Sequence, residues 1–352
     1  MIMTEKFYGP IRDSTLSSLA DPSSLLKLRD SIYASDLFIT AVGHLNFFSW
    51  LDKKPADITE ICSSFQIKQR PADVMLTLFK SLNLIEEKQG LFDLTQLSKE
   101  YLAESSPSYL GPYISSLKDR PICHDMLKVL RTGKPANWGS KKDEKEWAIA
   151  MEKDEFAETF TAAMDCRGVY LAPFLAKKVD LSGYNKLLDI AGGSGIYAAV
   201  IVSQQPHISA AVFEKPPFDR VARHSVNKRN MSDKISVIAG DMFEDNLPAG
   251  FDVHLFSNVL HDWDVDEVRK LLENSHRHLQ PGGMIMIHDA FINPEKSGPL
   301  AVAEYSVLLM FAAEGKCYST SELEVILKET GFDEISYTPT VADRGVILGK
   351  KH

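Results

Sequence analysis

The sequence predicts an α/β protein whose C-terminal half is a doubly wound, mostly parallel sheet and whose N-terminal half is mostly helical. Three observations carry this reading. From residue 185 onward, short apolar runs alternate with helical stretches, the pattern of parallel strands joined by crossovers. The run Lys186-Leu187-Leu188-Asp189-Ile190 passes at once into Ala191-Gly192-Gly193-Ser194-Gly195, a buried strand opening through a small-residue turn into a helix over residues 196–205. Before residue 104 the apolar spacing is that of short helices, closed by one strand–turn–strand signal.

At 352 residues the chain is long enough for two domains. A formal net charge of -9 argues against a general binder of nucleic acid or of anionic membranes. The cysteines at 62, 123, 166 and 317 form no CxxC pair and give no metal signature, which fits a reducing compartment. No run reaches the roughly 20 apolar residues of a membrane span. The opening MIMTEKFYGP lacks the apolar core of a secretion signal, so the expected location is the cytoplasm.

Residues 23–51 read as helical, with Leu25, Leu28 and Ile32, then Leu37, Ala41 and Leu45, on one face. Asp57 opens a short helix, and Pro71 starts another that runs to Leu82. Residues 84–87 and 91–94 read as a strand pair around a turn at 88–90. Helix, turn, helix and hairpin make a winged helix. A DNA reader of this kind needs a basic face for phosphates. Through Glu104 there are 11 basic against 14 acidic residues, and the second helix offers only Lys80, with Arg70 at its edge. Residues 1–104 are therefore read as a dimerisation domain.

Residues 105–178 read as a helical connection with softer stretches at 105–107 and 133–140. Within it, residues 155–174 form one amphipathic helix or a broken pair. Phe156, Phe160, Met164 and Tyr170 either line the roof of a pocket or pack between domains.

From residue 179 onward the strand ends carry the polar residues. Residues 210–214 end at Glu214, and residues 235–239 lead into Gly240-Asp241-Met242-Phe243. Residues 251–256 lead into Ser257-Asn258-Val259-Leu260-His261-Asp262-Trp263, and residues 284–288 end at Asp289. Asp264 with Glu267, and Ser319 with Glu322, read as capping boxes, with Gly331 as a helix stop. Residues 333–339 and 345–349 read as an antiparallel hairpin turning near Asp343, which separates this Rossmann-like sheet from an all-parallel dinucleotide fold.

Gly193-Ser194-Gly195-Ile196-Tyr197-Ala198 also meets the loose dinucleotide pattern, and Glu214 suits the ribose of a dinucleotide or of another adenosine cofactor. Asp189 decides between them. It is poorly placed beside a pyrophosphate and well placed beside a cation. Asp241 can accept from an adenine amino group, with Met242 and Phe243 against the base. Three acids at neighbouring strand ends describe an adenosine that carries positive charge, and S-adenosylmethionine meets that description.

On Asp189 to Gly195, Gly240 to Phe243 and above all His261-Asp262-Trp263, the chain resembles the class I S-adenosylmethionine-dependent O-methyltransferases. The likeness is to the caffeate and acetylserotonin (hydroxyindole) type and its bacterial small-molecule relatives, and it covers nearly the whole chain. It implies that Asp189, Gly192 and Gly193 face the methionine part of the cofactor and Glu214 the ribose. Asp241 and Met242 would hold the adenine, with Ser257 and Trp263 nearby. His261 would be the general base and Asp289 the acid that orients it. Phe160 and Met164 match acceptor-pocket positions, to which Leu308 and Phe311 add. The resemblance also implies a small-molecule acceptor and a homodimer through the N-terminal domain.

The chain departs from the family at three points. Ala191 replaces a first glycine, which the turn tolerates if its φ is negative. Ser257 replaces a lysine found in some plant members. Cys317 stands where many relatives have a second acid beside the base, which leaves Asp289 to orient the histidine. Asp262 is read as structural. His44 and Arg167 either touch an acceptor or, the preferred reading, serve helix packing or a surface ion pair. Two other functions compete: a non-methylating relative (decarboxylase, hydroxylase or rearrangement catalyst), left open by Cys317, and a winged-helix regulator, disfavoured by the charge balance.

Overall fold

The computed structural model describes residues 20–136 and 154–352; the segment MIMTEKFYGP and residues 137–140 of the second soft stretch lie outside them. The first helical stretch is broken into α1 (Ser23–Asp30), α2 (Ala34–Gly43) and α3 (Phe47–Leu51), the last entered through Asn46 at φ +48°. α1 is set inside out. Leu25 and Leu28 are 70% and 71% exposed, whereas Asp30 is buried and takes Arg344 Nη2 at 3.4 Å.

The Asp57 carboxylate accepts from Glu60 N at 2.8 Å and so starts α4 (Ile58–Phe65). α5 (Gln69–Ser81) begins two residues before Pro71 and buries Val74, Met75, Leu78 and Phe79. β1 (Ile85–Lys88) and β2 (Leu91–Leu94) pair antiparallel. The first strand sits one residue later than its pattern suggests, because Gln89 and Gly90, at φ +53° and +78°, make a two-residue hairpin turn by themselves. α6 (Gln96–Tyr101), α7 (Gly111–Ser115) and α8 (Pro121–Thr132) follow. Phe47, Phe48 and Phe79 are wholly or almost wholly buried at the centre of this half. The next described element, α9 (Asp154–Lys178), is one continuous helix that runs through Pro173.

Five parallel strands follow: β3 (Lys186–Ile190), β4 (Ser209–Glu214), β5 (Ile235–Ala239), β6 (Val253–Ser257) and β7 (Met284–Asp289). β8 (Asp333–Pro339) and β9 (Gly345–Lys350) add antiparallel, giving the order β5-β4-β3-β6-β7-β9-β8. The crossovers carry α10 (Ile196–Gln204), α11 (Phe218–Lys228), α12 (Val265–His278), α13 (Leu300–Ala312) and α14 (Thr320–Glu329). The chain leaves β3 toward β4 on one side and returns at β6 on the other, so a switch-point crevice opens between their C-terminal ends. Asp189, Glu214, Ser257 and Asp289 all lie at that edge.

Ser319 and Glu322 form the expected capping box at the start of α14. Asp264 does not form one. Its Oδ1 caps Val265 N at 2.8 Å, and its Oδ2 is drawn off by Arg70 Nε at 3.1 Å, a charged partner that outcompetes a second backbone N–H. α13 leaves the sheet half altogether. Val302, Ala303, Leu309 and Phe311 are buried in the same cluster as Leu37, Met75 and Phe79.

The condition set for Ala191 is not met, since its φ is +53°. An L-residue there costs about 1–2 kcal/mol, partly offset by the stiffer unfolded chain relative to glycine. Ala191→Gly is therefore expected to raise stability by about 0.5–1 kcal/mol in denaturant titration. A loss would mean that the methyl packing outweighs the strain.

Candidate functional site

The glycine turn is built around a buried carboxylate. Asp189 has no exposed surface; its Oδ2 accepts only a long bond from Ala198 N (3.4 Å), and its Oδ1 has no partner. Gly192 is required beside it, because a Cβ there would lie 2.5 Å from the Asp189 carboxyl carbon. One strand over, Glu214 accepts from Gly193 N at 3.0 Å and from Lys215 N at 2.9 Å. Burial pushes Asp189 up to about 7, with Glu214 adding to the rise. Burial likewise pushes Glu214 up to about 7, against the two N–H donors. α9 is fixed over this turn by Asp165, whose Oδ1 accepts from Ser194 Oγ at 2.5 Å and Arg229 Nη2 at 2.6 Å.

At the end of β5, Asp241 Oδ1 accepts from Phe243 N at 2.9 Å, which turns the loop and sets Met242 against the sheet core. Trp263 meets Phe243 edge to face at 4.6 Å, so the adenine candidates Asp241, Met242 and Trp263 share one rim. Ser257 Oγ lies 3.5 Å from His288 Nδ1 on the neighbouring strand.

His261 occupies a single 3-10 turn, residues 260–262, directly after β6. Its Nδ1 is 2.5 Å from Asp289 Oδ1 at the end of β7, and both side chains are buried. Burial alone would push Asp289 up, but the imidazole and Ala290 N hold it below the usual carboxylate range. Gly315 lets its loop close on this turn, since a Cβ there would meet the His261 carbonyl at 2.1 Å. Cys317 is buried near the dyad, and burial pushes its thiol well above the ordinary value, so it stays neutral.

Three further side chains lie at the dyad: Asp262, expected to be structural, and Tyr305 and Arg344, which carry no local sequence signal. Asp262 Oδ1 is 3.7 Å from His261 Nε2. The Tyr305 ring stands edge-on to His261 at 5.7 Å, and Arg344 covers that ring at 4.7 Å. Tyr305 lies in the run Leu300 to Ala312, which is apolar nearly all round and reads as core. Of the acceptor candidates, Met164 and the partly exposed Phe160 share a face of α9. Leu308 and Phe311 follow Tyr305 along α13; both are buried, and the Phe311 ring is stacked on Tyr33 at 4.2 Å. His44 Nε2 bonds the Lys118 carbonyl at 2.8 Å, a packing role.

A family model described as an O-methyltransferase domain matches residues 125–333, more than half of the chain. The chain belongs to the O-methyltransferase family. It is 28% identical over 334 residues to the 3-hydroxy-5-methyl-1-naphthoate 3-O-methyltransferase of Streptomyces sahachiroi, covering 94% of this chain and 95% of that one. To the acetylserotonin O-methyltransferase of Bos taurus it is 25% identical, covering 93% and 97%. An O-methyltransferase family 2 protein from Planctomyces limnophilus, solved with apigenin, superposes with a TM-score of 0.86 at 26% identity, covering 98% of this chain and all of that one. This methyltransferase is an S-adenosylmethionine-dependent enzyme. These relatives do not favour the non-methylating or regulator readings.

The residues present fit that cofactor. An unpartnered buried carboxylate oxygen at Asp189 suits a cation, and Glu214, on the next strand, suits a pair of hydroxyls. If a cation sits at Asp189 and hydroxyls at Glu214, both groups would bind as carboxylates, and affinity for S-adenosylmethionine is expected to fall as pH falls through about 7, by up to about tenfold per unit for each linked proton. Calorimetry between pH 8 and 6 measures this. Asp189→Asn should flatten the profile, and a flat profile in the parent enzyme would mean that both carboxylates are ionised without the cation.

Proposed function

We propose that the enzyme methylates a hydroxyl of a small aromatic molecule, with His261 as general base. The observation that carries this is the 2.5 Å contact from His261 Nδ1 to a buried, ionised Asp289. An ionised carboxylate can only accept, so Nδ1 carries the hydrogen and Nε2 keeps a lone pair for the acceptor's proton. When bound, the cofactor supplies an electrophilic methyl on a sulfonium.

The protein's own work is alignment and proton removal. Alignment of two bound reactants is worth up to about 7–11 kcal/mol. A phenol of pKa about 10 is ionised in only about one molecule per thousand at neutral pH, so the base matters. Once protonated, the imidazole faces Asp289 on one nitrogen and Asp262 on the other, at 2.5 and 3.7 Å. Asp262 thus supports the charge that a second acid at the Cys317 position would otherwise share. Asp189, Gly192, Gly193 and Glu214 are proposed to hold the methionine and ribose parts, with Asp241, Met242, Ser257 and Trp263 around the adenine. Phe160 and Met164 offer the acceptor an apolar face. The named acceptors of the Streptomyces and bovine relatives, a hydroxynaphthoate and acetylserotonin, support an aromatic class.

His261→Ala is expected to lower kcat by about 10²–10⁴-fold while calorimetric cofactor affinity is kept. Normal turnover in that variant would end the assignment.

The reading extends to a cytoplasmic homodimer formed through a winged-helix domain at residues 1–104. Residues 105–178 serve as connection and pocket roof, and residues 179–352 as the catalytic domain. The outward leucines of α1 support the dimer, together with the exposed Leu110, Tyr113 and Leu117. Leu25→Glu with Leu28→Glu should convert a dimer to a monomer in light scattering; a dimer of unchanged mass would rule out this face.

A further inference from the structure

Arg70, Arg167, Arg229 and Arg344 all lie at least partly out of water, and they are not alike. Arg70 pairs with Asp264 at 3.1 Å, Arg229 with Asp165 at 2.6 Å and Arg344 with Asp30 at 3.4 Å. Among the described residues, no carboxylate lies within ion-pair distance of Arg167. Its Nη1 donates to the Tyr305 hydroxyl at 3.1 Å and its Nη2 to the Met164 sulfur at 3.4 Å. A guanidinium has five N–H donors, and a phenol and a thioether are two neutral acceptors. Burial opposes this charge and Tyr305, Tyr197 and Asp289 favour it, but none of the described carboxylates is close enough to pair with it directly.

The location of this cation is specific. Phe160, Met164 and Arg167 follow one another at i, i+4 and i+7 along α9, so the guanidinium continues the apolar face proposed for the acceptor. Tyr305, which holds Arg167, is the ring that stands edge-on to His261 at 5.7 Å. Arg344 clamps Tyr305 from the other side at 4.7 Å and is itself tied to Asp30. The charge of Arg167 reaches Asp289 and Asp262. The pocket therefore has a base at one point and, one aromatic ring away, a positioned fork with donors to spare. Such a fork matches a planar anion through two parallel N–H bonds.

We propose that Arg167, positioned by Tyr305, anchors a carboxylate of the acceptor, so that the substrate class is hydroxyaryl acids with the reacting hydroxyl at His261. This rests on the O-methylation reading and narrows it. The acid group binds Arg167 without changing its covalent state, and the proton lost is that of the hydroxyl.

The test uses the full-length protein and pairs of hydroxybenzoic and hydroxynaphthoic acids with their primary carboxamides. Binding is measured by calorimetry with S-adenosylhomocysteine present, and turnover by release of S-adenosylhomocysteine. The acids should bind at least about tenfold more tightly than their amides, and the turnover advantage should lie in KM and not in kcat. Arg167→Gln should bring the acid-to-amide ratio close to one, and Arg167→Lys, which keeps the charge but not the fork, should retain part of it. Amides that bind as well as acids, or an Arg167→Gln variant that weakens both alike, would overturn the proposal. Acids that bind in an Arg167-dependent way but are never methylated would uphold the anchor and refute the methylation of this class. Amides methylated as readily as acids would do the reverse.

Discussion

Two carboxylates buried on adjacent strands set the terms for the rest of the site. Asp189 and Glu214 are taken out of water by the sheet edge and the helices above it, and both are pushed up to about 7. The turn that holds them has little freedom. Gly192 must be small to clear Asp189, Gly193 must turn its N–H toward Glu214, and Ser194 must reach Asp165 on the overlying helix. Asp289, three strands from Glu214 at the same edge, meets the opposite fate. It is as deeply buried, yet it lies below the ordinary carboxylate range because an imidazole and a backbone N–H face it. The two buried aspartates differ because the fold gives Asp289 an imidazole and leaves one oxygen of Asp189 without a partner.

The sheet half was legible because strand ends in a parallel sheet are local signals. An apolar run, an acid at its end and a small-residue turn sit within ten residues, as at Lys186 to Gly195. What escaped was decided over long distances. The Asp264 carboxylate fitted a capping box by spacing, but Arg70, 194 residues earlier, claims it. Tyr305 carries no local signal, because α13 is apolar nearly all round and its sequence has little face to read. Asp262 was assigned to the loop, and only the closing of the 3-10 turn brings its carboxylate toward His261. The preferred reading of Arg167 is packing or a surface ion pair, and spacing along one helix cannot show that its partner on a neighbouring helix is Tyr305.

The two halves are joined by charges close to the catalytic loop. Arg70 of α5 reaches Asp264, the Gly315 carbonyl and the Gly133 carbonyl. Lys316 bridges Asp73 of α5 and Glu322 of α14 at 2.5 and 2.6 Å, and Lys296 bridges the same two at 2.8 and 2.6 Å. Lys316 adjoins Gly315, whose close approach fixes the His261 turn. The N-terminal half is therefore coupled mechanically to the His261 turn through one loop.

The course of α13 has a further consequence. A helix that belongs by sequence to the sheet half completes the hydrophobic interior of the other. Cut the chain near residue 179, and the first fragment has an open trough while the second carries a greasy rod with nothing to cover it. Neither piece is a self-sufficient building block. Swapping N-terminal halves between related enzymes would transfer a socket without its plug unless this helix moved with it.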